Sequence, residues 1–94
     1  MLSPLTRLHL VVHGHVQGVG FRWFVREAAR RRDLAGWVKN LTDGGVEVFA
    51  EGPDSDIGRL RSELAKGPNG AAVESLEERA IHAEELAKPF AILR

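Results

Sequence analysis

The segment Val16-Gln17-Gly18-Val19-Gly20-Phe21-Arg22 combines three features suited to anion chemistry. Glycines at alternate positions allow a tight bend that aims successive N–H groups at one point. Helical periodicity starts directly after the bend, and a helix start adds unpaired N–H groups and partial positive charge. Arg22 sits at that start with a planar fork of donors matched to phosphate oxygens. A helix start selected for stability carries Asp or Glu, so a cation there makes sense when an anion comes to neutralise it. The plainer alternative is a strand-to-helix turn that uses glycine only for its φ freedom.

Two common phosphate motifs fail here. No stretch has Gly, four residues and then Gly-Lys-Ser/Thr, and the third glycine of a dinucleotide fingerprint would fall at position 23, which is Trp23. Nucleotide binding is therefore disfavoured. The chain has 94 residues, with 13 basic residues balanced by 13 acidic ones. That length suits one domain over residues 1–94 with one modest core. Zero net charge argues against a dedicated nucleic-acid or membrane-surface binder. Without cysteine there is no disulfide, thiolate nucleophile or Cys-based zinc site. The apolar run Leu8 to Val12 is too short to span a bilayer and lacks the marks of a signal peptide, so the expected location is the cytoplasm.

The elements that position the loop follow from periodicity. Leu8, Leu10 and Val12 alternate with His9, Val11 and His13, which predicts a strand, and Gly14 begins the bend. Phe21, Phe24, Val25 and Ala28 then form one helical stripe, closed by Arg30, Arg31 and Arg32. Trp37 to Leu41 and Val46 to Ala50 read as a hairpin around Thr42-Asp43-Gly44-Gly45, and Gly52-Pro53 stops the second strand. Ser55 or Asp56 is expected to cap a second helix with Ile57, Leu60 and Leu64 on its apolar face. Gly67-Pro68-Asn69-Gly70 is a break. Ala72 to Ile81 is an extended candidate, and Phe90 to Leu93 a short last strand. The resulting order is βαββαβ. It predicts a ferredoxin-like α+β sandwich, with two helices on one face of an antiparallel sheet.

Val12 to Arg22, followed by Gly36-Trp37-Val38-Lys39-Asn40, resembles the two signature segments of the acylphosphatase family. Glu51-Gly52-Pro53, Gly67-Pro68 and the terminal strand match as well, so the resemblance covers nearly the whole chain. It implies hydrolysis of a small-molecule acyl phosphate to a carboxylate and inorganic phosphate, without metal or organic cofactor. Carried over residue by residue, it implies that Arg22 holds the phosphate and Asn40 positions the attacking water. The backbone of Val16, Gln17, Gly18, Val19, Gly20 and Phe21 would surround the phosphate oxygens. Two departures stand out: Asp33 where glycine is expected after the first helix, and a poorly matched segment from Ile81 to Pro89.

Other residues admit competing readings. His9, His13 and His15 would share a face of an unbroken strand and invite a metal. No carboxylate adjoins them in sequence, and a solvated or half-buried sheet face is the preferred reading. Arg30 to Arg32 reads as a solvated helix end before a nucleic-acid patch. Trp37 is expected to anchor the sheet and Trp23 the helix flank. Glu77 and Glu78, adjacent in an extended segment, point to opposite faces and form no dyad. Two alternatives to an enzyme share the fold: an RNA-binding module and an accessory domain resembling the N-terminal part of hydrogenase-maturation carbamoyl transferases. Gly18-Val19-Gly20-Phe21 echoes part of an RNA-binding aromatic motif, but here it opens a helix. The accessory domains continue into a cysteine-rich zinc region; this sequence ends at Arg94 without one, favouring a free-standing monomeric enzyme.

Overall fold

Alternation along β1 (Leu5–His15) divides its side chains between two environments. Leu8, Leu10 and Val12 enter the main core, whereas His9 and His13 face the other side of the sheet. The structure, a computed structural model, describes residues 4–94; the first three residues of the expected domain fall outside it. β1 is followed by α1 (Phe21–Arg31), β2 (Ala35–Asn40), β3 (Val46–Pro53), α2 (Asp54–Lys66), β4 (Ala72–Glu78) and β5 (Ala91–Ile92). The strands lie in the order β4-β1-β3-β2-β5. The ferredoxin-like α+β arrangement expected from the sequence is therefore present.

Register fixes one apolar face. Leu8, Leu10 and Val12 lie opposite Ala50, Val48 and Val46, and Val38 of β2 pairs with Val48. Phe21, Val25, Ala28 and Ala29 of α1 and Ile57, Leu60 and Leu64 of α2 cover this face. The stripe read from the sequence is thus buried, with Phe24 partly so. α1 ends at Arg31, and Asp33 takes the left-handed conformation at φ 52°. The N–H of Leu34 donates to the Ala29 carbonyl, so Asp33 fills the role that glycine usually has in such a cap.

Several boundaries differ from the sequence reading for reasons outside local sequence. β1 continues past Gly14 because a register shift between His13 and Gly14 lets Gly14 and His15 pair with Val73 and Ala72. Neither Ser55 nor Asp56 caps α2. Pro53 is its N-cap residue, the Asp54 N–H donates to the Pro4 carbonyl, and Thr6 Oγ1 donates to Asp54 Oδ1. The N-terminal strand segment thus satisfies this helix end. β4 stops at Glu78, and Glu77 and Glu78 do face apart, toward His13 and Arg61 respectively. β5 covers only Ala91 and Ile92 and runs parallel to β2, so the sheet is mixed.

The segment from Arg79 to Pro89, which contains the poorly matched stretch Ile81 to Pro89, is a strap across the sheet face opposite the helices. The Arg79 N–H donates to the His9 carbonyl, and His9 Nδ1 lies 2.8 Å from the Ala80 carbonyl. The His82 ring packs edge-on against Phe49, and the Trp37 indole N–H donates to Glu84 at 2.7 Å. The Gly36 N–H donates to the Ala87 carbonyl before Phe90 enters the main core. The strap therefore carries the chain from one sheet edge to the other over β1, β3 and β2. Trp37, expected to anchor the sheet, packs edge-on against Phe49 of β3 and also holds the strap through Glu84.

The Trp37 N–H, and then His82, hold the Glu84 carboxyl below its ordinary range. A lowered carboxylate contributes stability above its ordinary value, and the contribution is lost as pH falls through the folded value. In a Trp23→Phe background, Trp37 fluorescence should stay constant down to the ordinary carboxylate range and shift below it. Glu84→Gln should abolish that shift; an identical transition in both proteins would assign it to another group.

Candidate active site

Three elements meet at one end of the helix-covered sheet face: the loop after β1, the first turn of α1 and the end of β2. Asn40 follows Val38 by two residues, so strand parity turns it toward the helix side. It sits at the exposed strand end beside a cleft of about 510 Å³ that Arg22 also lines. The structure thus brings together the two side chains singled out from sequence, together with Val16, Gln17, Gly18, Gly20 and Phe21. Val19 does not line the cleft; it packs against the core and belongs to the loop by its backbone. Val16 and Phe21 are themselves core side chains, so their backbone edges the cleft.

The loop's hydrogen bonding is unusual. Gly18 and Gly20 have φ of 75° and 77°, and an added Cβ at either would meet nothing within 4 Å. Glycine is required there by backbone conformation rather than by crowding. Gly20 is the N-cap residue of α1 and has no capping side chain. Among the described residues, no acceptor meets the N–H groups of Gln17 through Trp23; the first helix-start bond is Phe24 N–H to the Gly20 carbonyl. α1 also lacks an acidic residue in its first turn, whereas α2 has Asp54 and Asp56 there. Arg22 has no ion-pair partner among the described residues. The result is unpaired donors, a helix dipole and an unpaired cation in one place.

Gln17 adds a contact that the sequence reading missed. Its Nε2 donates to the Leu41 carbonyl at 2.8 Å and to the Gly45 carbonyl at 2.9 Å. The Leu41 N–H donates to that same Gly45 carbonyl, closing the hairpin directly after Asn40. One amide side chain therefore fixes the glycine loop to the strand end that carries Asn40. Only the three-dimensional approach of loop and hairpin reveals this tie.

Trp23 is a correction. Instead of anchoring the helix flank it is 59% exposed and lines the cleft. Arg26 and Arg30 line it as well, although Arg30 reads from sequence as part of a solvated helix end. The signal for them was available, since residues 22, 26 and 30 recur at helical spacing. The three histidines separate: His9 meets Glu47 at 2.7 Å, His13 meets Glu77 at 2.7 Å, and His15 is exposed. None of them lines the cleft.

The acylphosphatase family model matches residues 8–92, which include the loop, Arg22 and Asn40. The chain belongs to the acylphosphatase family. The acylphosphatase of Koribacter versatilis (strain Ellin345) is 49% identical over 87 residues, spanning 93% of this chain and 78% of that relative. The acylphosphatase of Chlorobaculum tepidum is 41% identical over 87 residues, spanning 93% and 95% of the two chains. A solved acylphosphatase from Coxiella burnetii has a TM-score of 0.86 at 40% identity, covering 95% of this chain and 93% of its own. The full-length HypF structure in its phosphate- and nucleotide-bound form matches all of this chain with 12% of its length, at 27% identity and a TM-score of 0.84. Acylphosphatase names at this coverage make the chain a hydrolase of the acylphosphatase type. No helix among the described residues is long and apolar enough to cross a membrane.

Removing the Gln17 tie tests its structural weight. Gln17→Ala deletes two hydrogen bonds to backbone carbonyls, each worth about 1 kcal/mol net. Urea unfolding should show a loss of about 1–2 kcal/mol, with kcat reduced more than KM is raised as Asn40 loses its fixed distance from the loop. Gln17→Glu, which faces a carboxylate toward two carbonyl oxygens, should be worse in both respects. Native stability in both variants would rule out the tie.

Proposed function

We propose that this chain hydrolyses small acyl phosphates, with the glycine loop and Arg22 holding the phosphoryl group and Asn40 orienting water. One observation carries the reading: a run of unpaired N–H groups and an unpaired guanidinium share a cleft with Asn40. The main-chain donors of Val16 to Phe21 and the helix dipole bind the phosphoryl oxygens, and Arg22 supplies the charge-assisted fork. These same donors meet the charge on the equatorial oxygens as the transition state develops.

Water attacks phosphorus, and the bond between phosphorus and the acyl oxygen breaks. Its electron pair leaves with the carboxylate. A carboxylate is a good leaving group, so the step needs little general-acid assistance. Asn40 offers a neutral amide with donor and acceptor sites, which can orient water but is too weak a base to deprotonate it. No carboxylate or imidazole side chain lines the cleft among the described residues, so the water proton passes to an oxygen of the phosphoryl group. The scheme requires neither metal nor organic cofactor. The reading extends to a cytoplasmic monomer acting on small molecules, without nucleic acid or membrane partners.

Phosphate release from benzoyl phosphate, without added metal, tests the assignment. Arg22→Lys should lower kcat/KM by about 100-fold or more, because a point charge cannot replace a planar fork. Near-native turnover in that variant would sink the scheme. Asn40→Ala should lower kcat by a comparable factor while inorganic phosphate still inhibits at native concentrations. Equal loss of phosphate inhibition would instead make Asn40 part of the cradle.

A further inference from the structure

His9 is the only buried polar residue among those described, and the phosphoryl chemistry does not use it. It lies on the back face of β1 beneath the strap, its ring stacked on Phe49 at 4.4 Å. Nδ1 is 2.8 Å from the Ala80 carbonyl oxygen, and Nε2 is 2.7 Å from Glu47 Oε2. Both partners are acceptors. A neutral imidazole offers a single N–H, so only the imidazolium can donate to both oxygens. A proton on Glu47 would be the other way to satisfy the pair. Lys39 Nζ stands 3.7 Å from the second Glu47 oxygen and favours the carboxylate, which leaves the proton on His9.

The other charged groups near the ring are engaged elsewhere. His82 meets it edge-on at 5.5 Å, and its own Nε2 lies 2.9 Å from Glu84. Arg7, above the Phe49 ring, pairs with Glu51 at 2.7 Å. The Arg79 side chain turns to Glu77. A buried ion pair rarely adds net stability over apolar packing. What this pair adds is direction, because it holds one backbone carbonyl at a fixed point.

That carbonyl belongs to the residue where the chain leaves β4 to become the strap. The Arg79 N–H donates to the His9 carbonyl and His9 Nδ1 faces Ala80, so one residue of β1 fixes the departure twice. The far end of the strap seats Phe90 in the core and places Ala91 and Ile92 in the cleft wall. Its Leu93 N–H donates to the Val38 carbonyl at 2.8 Å, which pins that wall to β2.

We propose that His9, as an imidazolium donating from both ring nitrogens, is a positioning residue that latches the strap and so sets the cleft wall on the opposite face of the sheet. That the wall bears on turnover rests on the acyl phosphate reading above; the latch itself does not. Rising pH removes one of the two ring protons, sets a nitrogen lone pair against an oxygen and releases one attachment. The latch is therefore closed at lower pH and opens as pH rises. Once it opens, Ala91 and Ile92 are held less firmly, while the glycine loop, Arg22 and Asn40 keep their places.

Imidazole 15N NMR, with the His9 signals assigned by through-bond correlation, reads the protons directly. Both ring nitrogens should carry one at neutral pH. As one is lost on raising the pH, protection of the Leu93 N–H against hydrogen exchange should fall about three- to ten-fold, the size of one net hydrogen bond. KM for benzoyl phosphate should rise by a similar factor along the same titration, with kcat nearly constant. His9→Gln, whose amide does not titrate, should hold both readouts at the loosened value at every pH. His13→Gln, which removes the next histidine on the same strand face, should behave as the native chain.

A single proton on the His9 ring at neutral pH would overturn the proposal. So would Leu93 protection that ignores the titration, or that follows it equally in His9→Gln. Protection that falls while KM stays constant would strike the positioning role. If the native chain does not turn over benzoyl phosphate, the hydrolase reading fails and Leu93 protection alone decides the latch.

Discussion

α1 begins with no counter-charge of its own, and much of the surrounding structure follows from that. Its N-cap is a glycine without a capping side chain, its first turn has no acidic residue, and Arg22 adds positive charge where the dipole already supplies some. Such a start is locally unfavourable and persists because packing elsewhere holds it. Phe21 is buried in the first turn, Val25 and Ala28 continue the stripe, and Val16 seats the preceding loop in the core. The core thus maintains a polar arrangement that local preferences alone would relax, a common association of strain with functional sites.

Precision at this site comes from backbone register more than from side-chain contacts. The pairing of β2 with β3 sets Asn40 opposite Val46. The β1–β3 pairing sets where β1 ends and the loop starts. The Gln17 amide then locks the two together through the hairpin carbonyls. A shift of one residue in the β2–β3 pairing would turn Asn40 to the opposite sheet face. That face is already occupied by Phe49, Trp37 and the strap.

The parts of the fold legible in the sequence were those governed by local periodicity. The alternation of Leu8, Leu10 and Val12, the stripe on α1 and the Asp43-Gly44-Gly45 turn each act over a few residues. The φ demand at Gly18 and Gly20 was equally local, and so was Arg22 beside it. What the sequence concealed depended on distant partners. Asp54 begins α2 because Pro4 and Thr6 arrive from the N-terminal strand. Gln17 read as one more backbone contributor because its acceptors lie at residues 41 and 45. Trp23 was misjudged because burial of aromatics is a tendency, and here the residue stands where the cleft opens. Arg26 and Arg30 were visible as charges, but which surface they faced depended on where β5 would dock.

The strap links two surfaces that otherwise share no side chains. After crossing the back of the sheet it delivers Phe90 into the core, gives the Phe90 carbonyl to Arg30, and places Ala91 and Ile92 in the cleft wall. Its spacing from Glu78 to Phe90 is therefore a fixed length, measured against the width of the sheet. A surface segment of irregular chain ordinarily tolerates insertion or deletion. Here, gaining or losing a residue would displace a buried phenylalanine and the far wall of the cleft together, so an outwardly loose stretch acts as a spacer of set length between the two faces of the sheet.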